Sequence, residues 1–228
     1  MIIFNFPSGF ISLFIILRAL CYNIIKTLEL GIRMSVKAIL FDFFGVISSE
    51  VSPFWFAERF EAEEAKRLKE EYISPADRGD VSEEETFRRL SQLSGESPDE
   101  IRADFCRRAV INPEMVELVE GLRERYKTVL VSNAMEKWLT EIMTKNDLHR
   151  LFDAVVISAK EKAAKPDGEI FKLALRRAGV KAKEAIFIDD NKKNADGAKA
   201  LGIDGIVFKD RNTLVGELSA RGIIWNNE

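Results

Sequence analysis

The sequence has a single histidine, His149, and only two cysteines, Cys21 and Cys106. One histidine cannot build a multi-histidine metal site, and any triad that used histidine would have to use His149. Two cysteines make neither a disulfide framework nor a four-ligand zinc site. Positive charge is not in excess either. Lysine plus arginine total 34 against 37 aspartates and glutamates, a net charge of −3 over 228 residues. That balance leaves no electrostatic footprint for a nucleic-acid partner. Repeats and low-complexity segments are also missing. Chemistry must therefore come mainly from carboxylates, hydroxyls and lysines, with or without a hard metal ion. Apolar residues make up 46% and charged residues 31%, the balance of a globular chain with one domain and a large insertion, or with two small domains.

Residues 1–17 carry no charged side chain. The apolar run from Phe10 to Leu17 is interrupted by Arg18 and resumes from Ala19 to Ile25. It is marginal as a membrane span, for which about 20 apolar residues are needed. No lysine or arginine precedes it and no small-x-small cleavage site is evident, unlike a signal peptide. Arg18, Lys26 and Arg33 follow it and would leave the rest of the chain in the cytoplasm. Residues 1–33 read as an apolar extension: a spurious upstream start, a membrane-associating helix, or a helix packed on the domain. The expected location is cytoplasmic, with membrane contact only if this segment is a real anchor. Met34 runs straight into a first strand.

Ala38-Ile39-Leu40-Phe41 is a short continuous apolar run, the pattern of a strand buried on both faces. Residues 53–72 read as a helix, and the charge run Glu61 to Arg67 as its solvated face. A loop is expected over Ser74 to Asp80. Ser82 with Glu85 three residues on forms a capping-box pattern that opens a helix to about Leu93. Another helix runs to about Ala109, and Pro113 starts one that ends near Tyr126. From there strands at 128–131, 154–157, 185–188 and 205–208 alternate with helices at 135–146, 168–178 and 191–201. Such alternation means βαβ units. The expected fold is α/β: a three-layer, Rossmann-like parallel sheet over residues 34–49 and 111–228, with a helical cap inserted at 50–110.

In open α/β sheets the ligand site lies off the carboxyl ends of the strands. The strand ends here deliver Asp42, Ser132-Asn133, Lys165 and Asp189-Asp190 to one rim. Each residue alone also fits a helix cap, a turn or a surface lysine. The adjacent pair Asp189-Asp190 is different, because two neighbouring carboxylates repel and a hard cation relieves them. Asp42 offers a third oxygen donor, and a few carboxylates plus substrate phosphate is the usual magnesium arrangement. Lys165 and the Ser132 hydroxyl suit phosphate oxygens. Asp42 is left as a nucleophile toward phosphorus.

The order Asp42, Ser132, Lys165, Asp189-Asp190 resembles the four motifs of the haloacid dehalogenase-like hydrolase superfamily. Lys165-Pro166-Asp167-Gly168-Glu169-Ile170-Phe171 and the segment Ile188 to Ala198 carry the resemblance most specifically. The insertion is similar to the helical cap of the subgroup that holds sugar-phosphate phosphatases and the dehalogenases themselves, and Asp77 to Ser82 is similar to a loop of that cap. The resemblance implies a Mg2+-dependent phosphatase acting on a small phosphorylated substrate. Asp42 would be the nucleophile, and Ser132, Asn133 and Lys165 would hold the phosphoryl group. Asp42, Asp189, Asp190 and the backbone carbonyl of Phe44 would ligate the metal.

Phe44 departs from the pattern. Phosphatases of the family usually carry a second aspartate there as general acid, whereas dehalogenases carry an aromatic residue. The alternatives are a metal-independent 2-haloacid dehalogenase, or a non-catalytic phosphate- or partner-binding relative. If the chain is a phosphatase, Phe44 makes it selective for good leaving groups unless Asp77, Asp80 or Glu50 supplies the proton. His149 is read as a helix-end residue, Cys106 as a small core residue, and Phe54-Trp55-Phe56 as core.

Overall fold

The computed structural model describes residues 36–225, so the expectations for residues 1–33, and Cys21 with them, lie outside the described residues. Among the described residues no helix is long and apolar enough to cross a membrane. Five strands, β1 (Ala38–Phe41), β2 (Lys127–Ser132), β3 (Ala154–Ile157), β4 (Ala185–Asp189) and β5 (Asp204–Val207), form one parallel sheet in the order β3-β2-β1-β4-β5. Successive side chains of a strand point to opposite faces. Ile39 and Phe41 accordingly join one apolar cluster with Leu130, Ile186 and Ile188, while Ala38 and Leu40 join a second with Val129, Val131 and Phe187. Both faces are covered, which is why β1 is an unbroken apolar run.

Between β1 and the next core helix lie five helices: α1 (Ser52–Ala57), α2 (Ala62–Tyr72), α3 (Ser74–Asp77), α4 (Glu83–Ser94) and α5 (Pro98–Arg108). The single helix expected over 53–72 is two. The chain leaves the helical region at Glu61, whose extended backbone starts α2. Glu63 and Glu64 then sit in the first turn, beside the positive end of the helix dipole. The expected loop at 74–80 opens with the one-turn helix α3, which has Pro75 in its first turn. Ser82 caps α4 by accepting the Glu85 N–H at 3.1 Å. The Glu85 carboxylate does not reciprocate, because Arg88 and Arg89 bind it. The reciprocal box forms instead at Ser97 and Glu100, at the start of α5.

Helices α6 (Pro113–Arg123), α7 (Glu136–Lys145) and α11 (Arg211–Ala220) cover the first face, through residues such as Leu118, Leu139 and Leu218. The one-turn α8 (Ser158–Glu161) follows β3, and α9 (Gly168–Ala178) and α10 (Lys192–Ala200) cover the second face through Phe171 and Ala198. The five inserted helices share the first-face cluster, since Trp55, Phe56, Phe87 and Phe105 pack with Phe43, Phe44 and Trp138. Trp55 and Phe56 are fully buried as expected, but Phe54 is 58% exposed. Cys106, expected in the core, is half-buried at its edge.

Candidate active site

The chain runs outward from β1 to β3 and then returns to β4, on the other side of β1. The carboxyl ends of β1 and β4 therefore face a point where the strand order reverses, the usual place for a ligand crevice. Asp42 follows β1, and its main-chain N–H donates to the Ile188 carbonyl at 2.9 Å, which fixes it beside the end of β4. Asp189 is the last residue of β4. Carboxylate oxygens of Asp42, Asp189 and Asp190 all lie within 4.8 Å of one another.

Lys165 is buried between Asp42 and Asp189. Its Nζ sits 2.7 Å from Asp42 Oδ1 and 2.7 Å from Asp189 Oδ2. Asn133 positions it: the Asn133 Nδ2 donates to the Lys165 carbonyl at 2.9 Å, and Oδ1 accepts the Lys165 N–H at 2.8 Å. The side-chain amide of Asn133 thus serves the lysine main chain, while the residue also lines the cavity described below. Asp189 accepts from Asn194 Nδ2 and from the Asn191 N–H, so α10 is docked on the same carboxylate. Gly45, at φ +79°, closes the turn after Asp42. A Cβ there would lie 2.5 Å from Asp190 Oδ2, so only glycine lets that carboxylate approach.

Burial and the charge of Asp189 push the Asp42 carboxyl well above its ordinary range, against the opposing pull of Lys165. Burial and Asp189 push Asp190 upward too. Burial alone would lower the Lys165 ammonium, but Asp42 and Asp189 outweigh it and hold it above its usual value. Three carboxylates against one ammonium leave this cluster short of positive charge. A hard divalent cation among oxygen donors at this spacing fits that deficit.

A cavity of about 450 Å³ opens on this cluster. Asp42, Phe44, Lys165 and Asp190 line it from the sheet side, and Glu50, Lys69 and Asp77 from the inserted segment. Ser132 and Asp189 are fully buried. The Ser132 hydroxyl has no hydrogen-bond partner, an uncommon condition for a buried donor and one that a ligand oxygen would relieve. Phe44 forms part of the wall and stacks on Trp138, centroids 4.8 Å apart and planes 10° apart.

Of the three residues considered as replacement acids, Asp80 is exposed and paired with Arg78 at 3.1 Å, outside the cavity. Glu50 and Asp77 line it. Burial raises both carboxyls, that of Asp77 to about 8. His149 lies on the 3-10 turn Leu148–Leu151 with its ring 3.3 Å from Thr144 Oγ1, apart from the cavity. Lys69 and Trp138 line the cavity but were not singled out by the sequence. Lys69 lies just beyond the charge run Glu61 to Arg67 that reads as a solvated face.

The profile of the haloacid dehalogenase-like hydrolases matches residues 36–202. A phosphorylated carbohydrates phosphatase of Thermotoga maritima is 31% identical over 96 residues, 42% of this chain and 44% of that one. The chain thus aligns with less than half the length of this curated relative. A solved HAD-family enzyme of Bacteroides thetaiotaomicron superposes with a TM-score of 0.68 at 25% identity, covering 79% of this chain and 98% of that one. The same enzyme in complex with magnesium and inorganic phosphate gives a TM-score of 0.66 at 26% identity, covering 79% and 99%.

Proposed function

The chain belongs to the haloacid dehalogenase-like hydrolases, and on that premise we propose that it is a magnesium-dependent phosphatase of small phosphorylated metabolites, working through an aspartyl-phosphate at Asp42. The observation that carries this reading is the clustering of three carboxylates within 4.8 Å around a cavity. A dehalogenase has no use for that acidic crowding. The phosphatase named for phosphorylated carbohydrates among the relatives, and the magnesium and phosphate complex of the Bacteroides enzyme, support it.

Asp42, Asp189 and Asp190, with the Phe44 carbonyl, would hold the magnesium ion, whose chemistry when bound is to neutralise phosphoryl oxygens. The residues divide the remaining work. Lys165 offers a buried ammonium to the phosphoryl group and balances Asp42 and Asp189. Ser132 donates its unpartnered hydroxyl. Asn133 keeps Lys165 in place. Asp42 attacks phosphorus, and the phosphoryl group moves from the substrate oxygen to its carboxylate. The helices over 50–110 act as a cap, and their half of the cavity sets the substrate. The weakly acidic chain calls for no nucleic-acid partner, and the proposed location is cytoplasmic.

Phe44 favours a second reading, the 2-haloacid dehalogenase, since an aromatic side chain at this wall needs no proton to give. One experiment separates the two. The full chain is assayed against a panel of phosphorylated metabolites and 2-haloacids, with magnesium and with chelator, alongside Asp42→Asn. Phosphate release that needs magnesium and disappears in Asp42→Asn is the expected result. Halide release in excess chelator would establish the dehalogenase instead. Residual activity of Asp42→Asn above about a tenth of wild type would remove Asp42 from the nucleophile's role, given the loss of several decades expected for a covalent catalyst.

A further inference from the structure

A phosphatase that breaks the bond to an alkoxide must protonate the departing oxygen, and Phe44 has no proton to give. We propose that Asp77, held on α3 by Ser158, is the general acid that protonates the leaving group and the general base that recovers the proton. This rests on the phosphatase reading.

Three contacts fix the segment that carries Asp77. The Ser158 hydroxyl donates to the Asp77 carbonyl, and the same oxygen accepts the Ala134 N–H at 2.9 Å. Ala134 is two residues beyond Ser132, so one buried serine ties Asp77 to the end of β2. Lys162 Nζ donates to the Gly79 carbonyl. Gly79 itself, at φ +74°, lies so close to α8 that a Cβ would stand 2.4 Å from the Ala159 carbonyl oxygen. Asp77 is therefore held at a set position over the cavity and is not carried on a free loop tip.

Asp77 lines the same cavity as Asp42 and Lys165. The charged groups acting on it are Lys69 from α2, Glu50 from the segment after β1, Lys165 from the loop before α9, and its neighbour Arg78. Arg78 is engaged by Asp80, and Lys165 by Asp42 and Asp189. On α8, Lys160 pairs with Glu136 and Glu161 with Arg177. None of these cations makes an ion pair with Asp77, so burial dominates and moves its titration up to about 8. The group thus carries a proton at neutral pH, as a general acid must. Glu50 is the weaker choice, because beyond burial the charges of Asp190 and Asp189 also bear on it, and among the described residues no contact like that of Ser158 with Asp77 ties it to the sheet.

The steps balance as follows. An Asp42 oxygen bonds to phosphorus while the bond to the leaving oxygen breaks, and that oxygen keeps the electron pair. Asp77 gives it a proton, so an alcohol departs and Asp77 becomes a carboxylate. Water then attacks the aspartyl-phosphate at phosphorus and passes a proton to Asp77. The bond to Asp42 breaks, its electron pair returns to the Asp42 carboxylate, and inorganic phosphate leaves.

The test compares two esters of similar shape, p-nitrophenyl and p-nitrobenzyl phosphate, on the full chain with magnesium. The first releases a weakly basic phenolate, the second a strongly basic alkoxide. The parameter is kcat/KM, which reports steps only through alcohol release. The wild type is expected to cleave the two within about tenfold of each other. Asp77→Asn is expected to lose roughly 10²–10⁴ on the benzyl ester and less than a tenth of that factor on the phenyl ester. The wild-type rate on the benzyl ester should fall as pH rises through about 8, because a raised pKa means the proton is lost only there, and Asp77→Asn should lack that limb. A wild type more than a hundredfold slower on the benzyl ester overturns the proposal without any variant. So does Asp77→Asn with both esters slowed alike. A wild type that cleaves neither ester overturns the phosphatase reading and this proposal with it.

Discussion

Replacing Lys165 by methionine removes the one ammonium between Asp42 and Asp189, each 2.7 Å from it, at a site where the lysine side chain is fully buried. Methionine fills much of the volume, so the change is chiefly electrostatic. It leaves two buried carboxylates facing each other without a cation, the situation in which breaking a buried pair costs about 3–5 kcal/mol. For a chain of this size, roughly 2–4 °C per kcal/mol converts that into a fall in Tm of about 6–20 °C. The loss has a definite pH dependence in chelator. Asp42 already titrates above its ordinary range because of burial and Asp189, with Lys165 opposing. Without the lysine its folded-state pKa rises further. A group whose folded pKa is raised contributes stability at low pH that is lost as pH rises toward the folded pKa. The deficit of Lys165→Met against wild type should therefore be larger at pH 8 than at pH 5. Urea denaturation of both proteins at the two pH values measures it. A deficit under 1 kcal/mol at both would refute the idea that the lysine charge holds these carboxylates together.

Three further outcomes test the rest of the site. Ser132→Ala removes a buried hydroxyl that has no partner, so stability should hold or rise by up to about 1 kcal/mol, while inhibition by inorganic phosphate weakens at least severalfold; a clear loss of stability would mean that the hydroxyl is satisfied in the folded protein. Gly45→Ala places a methyl 2.5 Å from Asp190 Oδ2 at φ +79°, which should cost about 1–3 kcal/mol and move the magnesium dependence of phosphate release to higher concentration. Asp189→Ala should abolish phosphate release at any magnesium concentration, and retained activity would remove Asp189 from the metal site.

The strand positions were legible because both faces of the sheet are buried, and a buried strand leaves an unbroken apolar run in the sequence. Asp42, Ser132 and Asp189 were legible for a related reason: each is the first polar group after such a run, whereas Lys165 lies eight residues beyond β3 and was legible through the Lys165-Pro166-Asp167 motif. The strand order was not, since short apolar runs of one composition give no sign of which neighbours pair. The break between α1 and α2 was hidden because no glycine or proline marks it and apolar residues recur at helical spacing on either side. The capping box was misplaced because Ser82-x-x-Glu85 and Ser97-x-x-Glu100 have the same pattern, and only the arginines three and four residues after Glu85 decide between them. The cavity wall from the insertion was least legible. Asp77 entered the sequence reading only as one of three candidate acids, because the contacts that hold its segment join residues about 80 apart, Ser158 to Asp77 and Lys162 to Gly79, and no local periodicity encodes those; Lys69 was not singled out at all.

Phe44 links the loss of one acid to the use of another. Its ring stacks on Trp138, Trp138 meets Phe105 at 5.6 Å, and Phe105 meets Phe87 at 5.4 Å and Trp55 at 5.8 Å. Those last three belong to α5, α4 and α1, so the residue two positions after Asp42 begins an aromatic chain into the inserted helices. Aromatic pairs of this kind each add roughly 0.5–1.5 kcal/mol beyond their buried area, so an aspartate at position 44 would forfeit packing and bury a carboxylate against apolar rings. The same packing that excludes an acid from the floor of the cavity draws the insertion onto the sheet. It thereby helps keep α3, and Asp77 with it, over the cavity floor. A proton donor on the insertion and an aromatic residue after the nucleophile are then two sides of one arrangement, in which the group removed from the floor is supplied from the wall above.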